Sequence, residues 1–237
     1  MDNPQRPPRP ETGAEPAAEA LVAERLGVFG GSFDPVHLGH LTVVRAALGA
    51  GSLDHLVLVP ARISPHKLGR PPTDGARRVE LLELALDDLE PELRSRLSIW
   101  TVELSRPGPS FTVDTLTELI ERRGPGRPRP HFVMGQDSVA GLPRWRSVER
   151  IFELVDPMVV PRGGEGPLAA SIAALEGQLE ASLVERLCDG ALPLVDASAA
   201  SSTAVRTVLG GEANGALDLP LAVARRIEQL GLYGSGG

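Results

Sequence analysis

The sequence contains one cysteine, few aromatic residues and no long apolar run, and these scarcities exclude whole classes of protein. Cys188 is the single cysteine among 237 residues, so no intrachain disulfide can form. That composition fits a reducing compartment, and we expect the protein to act in the cytoplasm. The longest apolar runs are far shorter than the roughly 20 residues that a membrane-spanning helix needs, so we expect no membrane partner.

Positive charge is also in deficit. The chain has 24 Lys and Arg residues against 31 Asp and Glu residues, which gives a net charge of −7. Proteins that bind nucleic acids usually carry a basic excess, so we expect no nucleic-acid partner. An anionic small molecule is not excluded, because a local cluster of positive groups can bind it inside an acidic protein.

The two ends of the chain differ in composition from the rest. Residues 1–24 are rich in Pro, Ala, Glu and Arg and poor in large apolar side chains, which predicts a disordered extension. Residues 234–237 are glycine and serine, which predicts a flexible tail. Residues 25–233 are long enough for one sizeable core, and we predict a single domain there.

Between the two ends, short apolar runs alternate with segments of helical periodicity. Predicted strands cover residues 26–29, 55–60, 98–104, 131–134, 157–160 and 192–195. Predicted helices cover residues 37–48, 77–89, 111–123, 167–188, 203–209 and 220–230, with Thr112 as a candidate N-cap. The alternation predicts an α/β fold: a doubly wound, Rossmann-like parallel sheet with helices on both faces. Ligands of such sheets bind beyond the carboxyl ends of the strands, so the residues that follow each strand are the candidate site.

The segment Gly30 to His40, which follows the first predicted strand, has the composition of a phosphate site. Its glycines let backbone N–H groups approach a ligand, and the start of the next helix adds N–H donors and partial positive charge. His37 and His40 lie three residues apart and share a helix face, while Gly39 allows close approach. Asp34 is expected to order the turn. A metal-binding or purely structural histidine pair is the alternative, but no Asp, Glu or Cys ligand lies nearby on that face.

The string Gly30-Gly31-Ser32-Phe33-Asp34-Pro35-Val36-His37-Leu38-Gly39-His40 resembles the signature of the nucleotidylyltransferase superfamily with its His-x-Gly-His element. The longer form GGSFDPVH-x-GH is most similar to that of the nicotinate-nucleotide adenylyltransferases. His-x-Gly-His alone is shared with class I aminoacyl-tRNA synthetases. A fragment of such a synthetase is disfavoured, since the chain has no evident tRNA-binding region and no basic excess.

The resemblance extends over residues 27–234. Pro65-His66-Lys67, residues 106–116, residues 134–145 and residues 201–206 are similar to four further segments of the same family. The departures are Phe111, where tyrosine is common, and Ala200 and Val205, where isoleucine is common. These replacements are aromatic or apolar, so they should affect packing more than chemistry.

The resemblance implies an enzyme that transfers the adenylyl group of ATP to nicotinate mononucleotide, giving deamido-NAD and pyrophosphate in NAD biosynthesis. It implies ATP-binding roles for Gly30, Gly31, Ser32, Phe33, His37, Gly39, His40, Gly135, Asp137, Ser201, Ser202, Thr203 and Arg206. Among these, His37, His40 and Arg206 are the expected catalytic residues, as stabilisers of phosphate charge. The residues expected to bind the acceptor substrate are Lys67, Thr112 and Trp145. Mg²⁺ is the expected cofactor, held mainly by ATP phosphates, and no protein ligand to a metal is predicted.

Each of these motifs also allows a structural interpretation. Residues 201–203 could be a simple N-cap, with Arg206 solvated. Asp137 could cap a helix instead of accepting a ribose hydroxyl group. Trp145 could lie in the core instead of stacking on a pyridine ring, and Lys67 could be solvated instead of contacting phosphate.

The sequence is also compatible with other functions. The acceptor could be nicotinamide mononucleotide or phosphopantetheine, or the protein could be a nonenzymatic nucleotide sensor on the same fold. A sensor should have damaged motifs, whereas His37, His40, Lys67 and Arg206 are all present. A homo-oligomer is compatible with the sequence.

Overall fold

The computed structural model describes residues 12–49, 52–63, 72–162, 166–193, 201–211 and 217–234. The strands are β1 Thr12–Gly13, β2 Leu26–Gly31, β3 His55–Pro60, β4 Leu97–Trp100, β5 His131–Gly135 and β6 Asp156–Val160. The helices are α1 Ala18–Val22, α2 Leu38–Gly49, α3 Gly75–Asp87, α4 Pro91–Arg94, α5 Val102–Ser105, α6 Thr112–Arg123, α7 Gln136–Val139, α8 Val148–Leu154, α9 Leu168–Ala173, α10 Ala181–Asp189, α11 Ser202–Leu209 and α12 Leu221–Leu230. Within these ranges no helix has the length and apolar character needed to cross a membrane.

The strands form one parallel sheet in the order β1-β4-β3-β2-β5-β6. From β2 the chain builds outward through β3 and β4, and then it returns to the other side of β2 to add β5 and β6. The order therefore reverses between β2 and β5. Ligands of doubly wound sheets bind outside the strand ends at such a reversal.

Successive strand residues face opposite sides of the sheet and enter two separate apolar cores. Val28 and Val57 belong to a core covered by α6, α8 and α10, whereas Phe29 and Leu58 belong to a core covered by α2, α3 and α12. Every residue of β3 is buried, as expected for a parallel strand with helices on both faces. The predicted doubly wound α/β fold is thereby confirmed.

The predicted disordered extension over residues 1–24 is wrong for residues 12–24, which fold onto the edge of the sheet. There β1 pairs with β4, the indole N–H of Trp100 donates to the carbonyl of Ala14 at 2.7 Å, and α1 buries its central alanine. Pairing at this edge satisfies backbone groups that an outer strand would leave open, and it needs few large side chains. Residues 1–11 lie outside the described ranges, as do residues 235–237 of the predicted tail.

Most predicted elements match the structure to within two residues at each end, two differ by more, and one is only partly described. The strand predicted over residues 98–104 ends at Trp100 and continues as α5, because a short apolar run does not by itself distinguish strand from helix. The helix predicted over residues 167–188 is divided into α9 and α10 by a turn in which Gly177 has a φ of 75°. Of the strand predicted over residues 192–195, the structure describes only the first two residues, which follow a single bridge to β6.

His55 begins β3 and is a buried histidine far from the predicted site residues. Its side chain is 5% exposed, and Nε2 lies 2.8 Å from Oγ of Ser98 on β4. Burial lowers the pKa of His55 from 6.5 to about 4. The folded protein therefore keeps this ring neutral at pH values where the unfolded chain takes up a proton.

We expect His55 to make the protein less stable in mild acid. Its contribution is complete above pH 6.5 and is lost as the pH falls towards 4, which amounts to about 3 kcal/mol of unfolding free energy. In His55→Gln, which keeps a donor near Ser98, this part of the pH dependence should vanish. Urea unfolding of both proteins across this pH range measures the difference, and parallel curves would contradict the assignment.

Candidate active site

A cavity of about 730 Å³ opens where the strand order reverses. Its walls include residues at the carboxyl ends of β2, β3, β5 and β6, together with the entries to α2, α6 and α11. Most residues predicted from the sequence line this cavity: Gly30, Gly31, Ser32, His37, Gly39, His40, Thr112, Gly135, Asp137, Trp145, Ser201, Ser202 and Thr203. The fold therefore brings together motifs that lie more than a hundred residues apart in the chain.

Two predicted site residues within the described ranges, Phe33 and Arg206, are not part of that wall. Lys67 lies outside the described residues. Phe33 is fully buried at a φ of 45°, and its ring lies 4.8 Å from the ring of His40 and 5.6 Å from that of Phe29. Its side chain therefore supports the wall from behind, and the ATP-binding role of Phe33 stays a prediction. Arg206 contacts the turn between β2 and α2 through the carbonyl of Asp34.

His37 and His40 stack at the entry to α2. Their ring centroids are 3.8 Å apart with an interplanar angle of 35°, and the backbone N–H of His37 donates to Nδ1 of His40 at 3.2 Å. Because Nδ1 accepts this bond, the proton of a neutral His40 ring is on Nε2. His40 can thus act as a donor while uncharged. Among the described residues, no group of three or more His, Cys, Asp or Glu side chains is placed to hold a metal ion.

The turn between β2 and α2 is held in place by the carboxyl-terminal part of the chain. The Tyr233 hydroxyl donates to Oδ1 of Asp34 at 2.7 Å, and Ser202 Oγ donates to the carbonyl of Pro35 at 3.0 Å. Arg206 donates to the carbonyl of Asp34 and, at 3.3 Å, to Oγ1 of Thr203. Arg206 therefore ties α11 to the turn beside the cavity, and its predicted role in stabilising phosphate charge stays a prediction.

The entry to α11 combines capping with exposed backbone donors. Ser201 caps the helix, since its Oγ accepts from the N–H of Ala204 at 3.1 Å. The capping interpretation is thus correct for Ser201, and the hydroxyl of Ser202 is engaged with the neighbouring turn. What α11 offers the cavity is chiefly the N–H groups of its first turn, which a helix leaves without intrahelical partners.

Asp137 follows β5 and forms an ion pair that the sequence did not predict. Its Oδ2 lies 2.7 Å from Nη1 of Arg162, whose side chain is 13% exposed, just beyond the end of β6. A Cβ atom on Gly135 would lie 2.6 Å from Oδ1 of Asp137, so a larger residue there would displace the carboxylate. Asp137 does not cap α7, because the N-cap is Gly135 and makes no side-chain hydrogen bond. The helix-cap alternative is therefore wrong.

Aromatic residues and arginines form another part of the cavity wall. Trp145 lines the cavity and also packs edge-on against Phe132 with ring centroids 5.7 Å apart, so it lies at the border of the core and the cavity, and its stacking on a pyridine ring stays a prediction. The guanidinium of Arg146 lies 4.7 Å from the ring centroid of Phe111 and 3.9 Å from Oδ2 of Asp114. Thr112 is the first residue of α6 and not its N-cap, which is Phe111. Its N–H group is consequently among the unpaired donors of a helix start.

Sequence reasoning missed several residues that line the cavity, namely Glu103, Ser110, Arg144, Arg146 and Arg162. Glu103 is 7% exposed and accepts from Oγ1 of Thr115 at 2.6 Å, and burial raises the pKa of its carboxyl group. The sequence did not indicate Glu103 as a site residue, because the strand predicted over residues 98–104 includes it. The two arginines that flank Trp145 were visible in the sequence as a local basic pair beside a motif residue.

Comparison with solved structures identifies the same fold elsewhere. The structure of Plasmodium falciparum nicotinic acid mononucleotide adenylyltransferase complexed with NaAD superposes with a TM-score of 0.70 over 89% of this chain and 97% of that chain, at 16% identity. The same protein complexed with APC gives a TM-score of 0.68 at 18% identity, over 89% of this chain and 97% of that one. At such low identity the likeness concerns the fold.

Sequence comparison gives closer relatives. Residues 28–208 match the family described as Cytidylyltransferase-like. A Gloeobacter violaceus protein named as a probable nicotinate-nucleotide adenylyltransferase is 38% identical over 217 residues, which cover 90% of this chain and 97% of that protein. A Chromohalobacter salexigens protein of the same name is 35% identical over 224 residues, which cover 92% and 99%. The chain therefore belongs to the cytidylyltransferase-like family and, within it, to the nicotinate-nucleotide adenylyltransferases.

Proposed function

We propose that this chain transfers the adenylyl group of ATP to nicotinate mononucleotide, forming deamido-NAD and pyrophosphate in NAD biosynthesis. The observation that carries the proposal is that one cavity has both the His37–His40 turn and the residues Trp145 and Thr112 in its wall. The backbone donors and histidines of the turn suit a triphosphate, and we call this part of the wall the ATP end. The aromatic face of Trp145 suits a pyridine ring, and we call that part the acceptor end. The names of the relatives support the same activity.

The reaction needs alignment more than acid–base chemistry. A phosphate monoester has a second pKa near ~6, so the nucleophilic oxygen of the mononucleotide is largely ionised at neutral pH. That oxygen forms a bond to the α-phosphorus of ATP, while the bond from this phosphorus to the bridging oxygen breaks and pyrophosphate leaves with the electron pair. Two anions must be held close together, and the charge that develops on the phosphate oxygens must be stabilised.

The residues of the β2–α2 turn are assigned to this stabilisation. N–H groups of Gly30, Gly31 and Ser32 and the start of α2 would hold the triphosphate. His37 and His40 would donate to phosphate oxygens as charge builds up in the transition state. The N–H groups at the start of α11 would add donors from the facing wall.

The remaining roles follow the two ends of the cavity. Asp137 is assigned to the adenosine ribose, with Arg162 holding its carboxylate in position. Trp145 is assigned to the pyridine ring, the N–H of Thr112 to its carboxylate and Arg146 to the negative charge of the mononucleotide. The phosphate contact of Lys67 is a proposal from the sequence alone.

We assign Mg²⁺ to the phosphates of ATP and not to a protein site. The donor set supports this, since the described part of the chain offers no cluster of three or more metal-binding side chains. Mg²⁺ usually keeps several waters and binds phosphate oxygens, where it neutralises negative charge. Action in the cytoplasm and assembly into a homo-oligomer also remain predictions.

Pyrophosphate release tests the proposed function. The purified chain is incubated with ATP, Mg²⁺ and one acceptor at a time: nicotinate mononucleotide, nicotinamide mononucleotide or phosphopantetheine. We expect release with the first acceptor at the highest kcat/KM. Highest release with another acceptor would reassign the substrate, and no release with any of them would refute the enzymatic function.

The stacked histidines generate a second prediction. His40→Ala should lower kcat about a hundredfold or more, with little change in KM for the mononucleotide, because the donor acts on charge that develops in the transition state. His131→Gln is the matched control, since His131 begins β5 at the end remote from the cavity. Unchanged turnover in His40→Ala would refute the assigned role.

The arginine over Phe111 generates a third prediction. Arg146→Gln should raise KM for nicotinate mononucleotide about fivefold, and the effect should shrink in high salt because the side chain is exposed. Arg150→Gln is the control, because Arg150 is exposed on α8, pairs with Glu153 and does not line the cavity. Equal KM values for the two variants would contradict the role of Arg146.

A further inference from the structure

Arg78, in the first turn of α3, is almost completely buried, with 1% of its surface exposed. Its guanidinium donates to four backbone carbonyls. Nε donates to Thr73 at 2.8 Å, Nη1 donates to Ser32 and to Ala61 at 2.7 Å each, and Nη2 donates to Arg62 at 3.4 Å. One side chain therefore joins three chain segments: the turn after β2, the segment after β3 and the approach to α3.

Two of these segments form the wall of the cavity. Ser32 follows the last residue of β2 in the phosphate-binding turn, and Ala61 follows the last residue of β3; both line the cavity. Arg78 is buried and is not among the lining residues. Its guanidinium thus binds the outer side of the wall and has no direct contact with a ligand.

The segment after β3 continues this connection to the acceptor end. The N–H of Arg62 donates to Oγ of Ser110 at 3.0 Å, and the N–H of Ser110 donates to the carbonyl of Ile63 at 3.0 Å. Ser110 lies two residues before Thr112 at the start of α6. From Ser32 through Arg78 and Arg62 to Ser110, a short series of hydrogen bonds links the ATP end of the cavity to its acceptor end.

The chemistry of Arg78 also favours a role beyond general stability. Its acceptors are all carbonyls, and burial lowers the pKa of its guanidinium, although an arginine remains charged at neutral pH. Asp34 and Asp74 lie near enough to act on its charge, but neither accepts a hydrogen bond from it. Burying a cation is costly, and an apolar side chain would fill the same space at lower cost. A planar fork, however, can bond several carbonyls in fixed directions, which lysine cannot do.

We propose that Arg78 is a positioning residue that sets the separation between the ATP end and the acceptor end of the cavity. The inference rests on the function proposed above, since only a reaction between two bound substrates needs that separation. A displacement of about 1 Å between reacting groups can lower a rate about a hundredfold. The expected signature is a loss of kcat with each substrate still bound.

A second buried arginine provides the control. Arg94 is 2% exposed, donates from Nε and Nη2 to Oδ1 of Asp87 at 3.0 and 2.6 Å, and does not line the cavity. Arg78→Lys and Arg94→Lys both replace a buried guanidinium by an ammonium group and should both destabilise the fold. Only the first change loosens the wall of the cavity.

The experiment measures thermal unfolding of both variants, and then ATP affinity by calorimetry and steady-state kinetics well below the lower unfolding midpoint. We expect Arg78→Lys to lower kcat about a hundredfold with the ATP affinity close to that of the unmodified chain. Arg94→Lys should keep its kcat. If the two variants have the same kcat per folded molecule, Arg78 is merely structural and the proposal is refuted.

A second variant keeps the proposal testable if Arg78→Lys does not fold. Ser110→Ala removes the acceptor of the Arg62 N–H at the other end of the same connection and should lower kcat with ATP affinity retained. An unchanged kcat in Ser110→Ala would then overturn the proposal. Turnover by the unmodified chain separates the two claims. If the unmodified chain has no turnover, the proposed function is refuted, and this inference with it. If the unmodified chain turns over and Arg78→Lys and Arg94→Lys have the same kcat, only the inference is refuted.

Discussion

The parallel pairing of β2 with β3 on one side and β5 on the other is the constraint on which the site depends. Parallel strands end at the same edge of a sheet, so Gly31 pairs with Pro60 and the glycine turn lies beside the segment after β3. Gly27 permits this arrangement, because a Cβ atom there would lie 2.5 Å from Cδ1 of Leu53. The reversal of strand order then opens the space between β2 and β5 that becomes the cavity.

Arginines hold irregular segments beside the cavity and at the edge of the sheet, and they do so largely through backbone carbonyls. Arg78 joins the segments after β2 and β3, Arg206 joins α11 to the β2–α2 turn, and Arg123 secures the amino-terminal segment through Ala20. Carbonyls in turns lack the regular partners of helices and strands, and a guanidinium can satisfy several of them at once. An acidic protein can thereby keep its positive groups close to an anion site.

The arrangement of His37 and His40 depends on contacts between neighbours in the chain and on contacts with distant residues. His37 and His40 are three residues apart, so a helix that begins beside His37 brings both side chains to its first turn. Phe33 is buried with its ring 4.8 Å from the ring of His40, and Asp34 of the same turn accepts a hydrogen bond from Tyr233. The charge-stabilising role that we propose for the two histidines therefore rests on a turn held by a residue that follows the last helix.

The sequence by itself determined the α/β class, the glycine turn with its two histidines, and a set of site residues most of which line the cavity. These features depend on short-range patterns, such as glycine positions, helical periodicity and residue spacing. Only the tertiary structure decided that residues 12–24 add a strand, that Arg162 pairs with Asp137, that Phe33 is buried, and that Arg206 bonds the carbonyl of Asp34. Each of these depends on which strands become neighbours, and neighbourhood in a sheet is set by the packing of the whole chain, which no local pattern encodes.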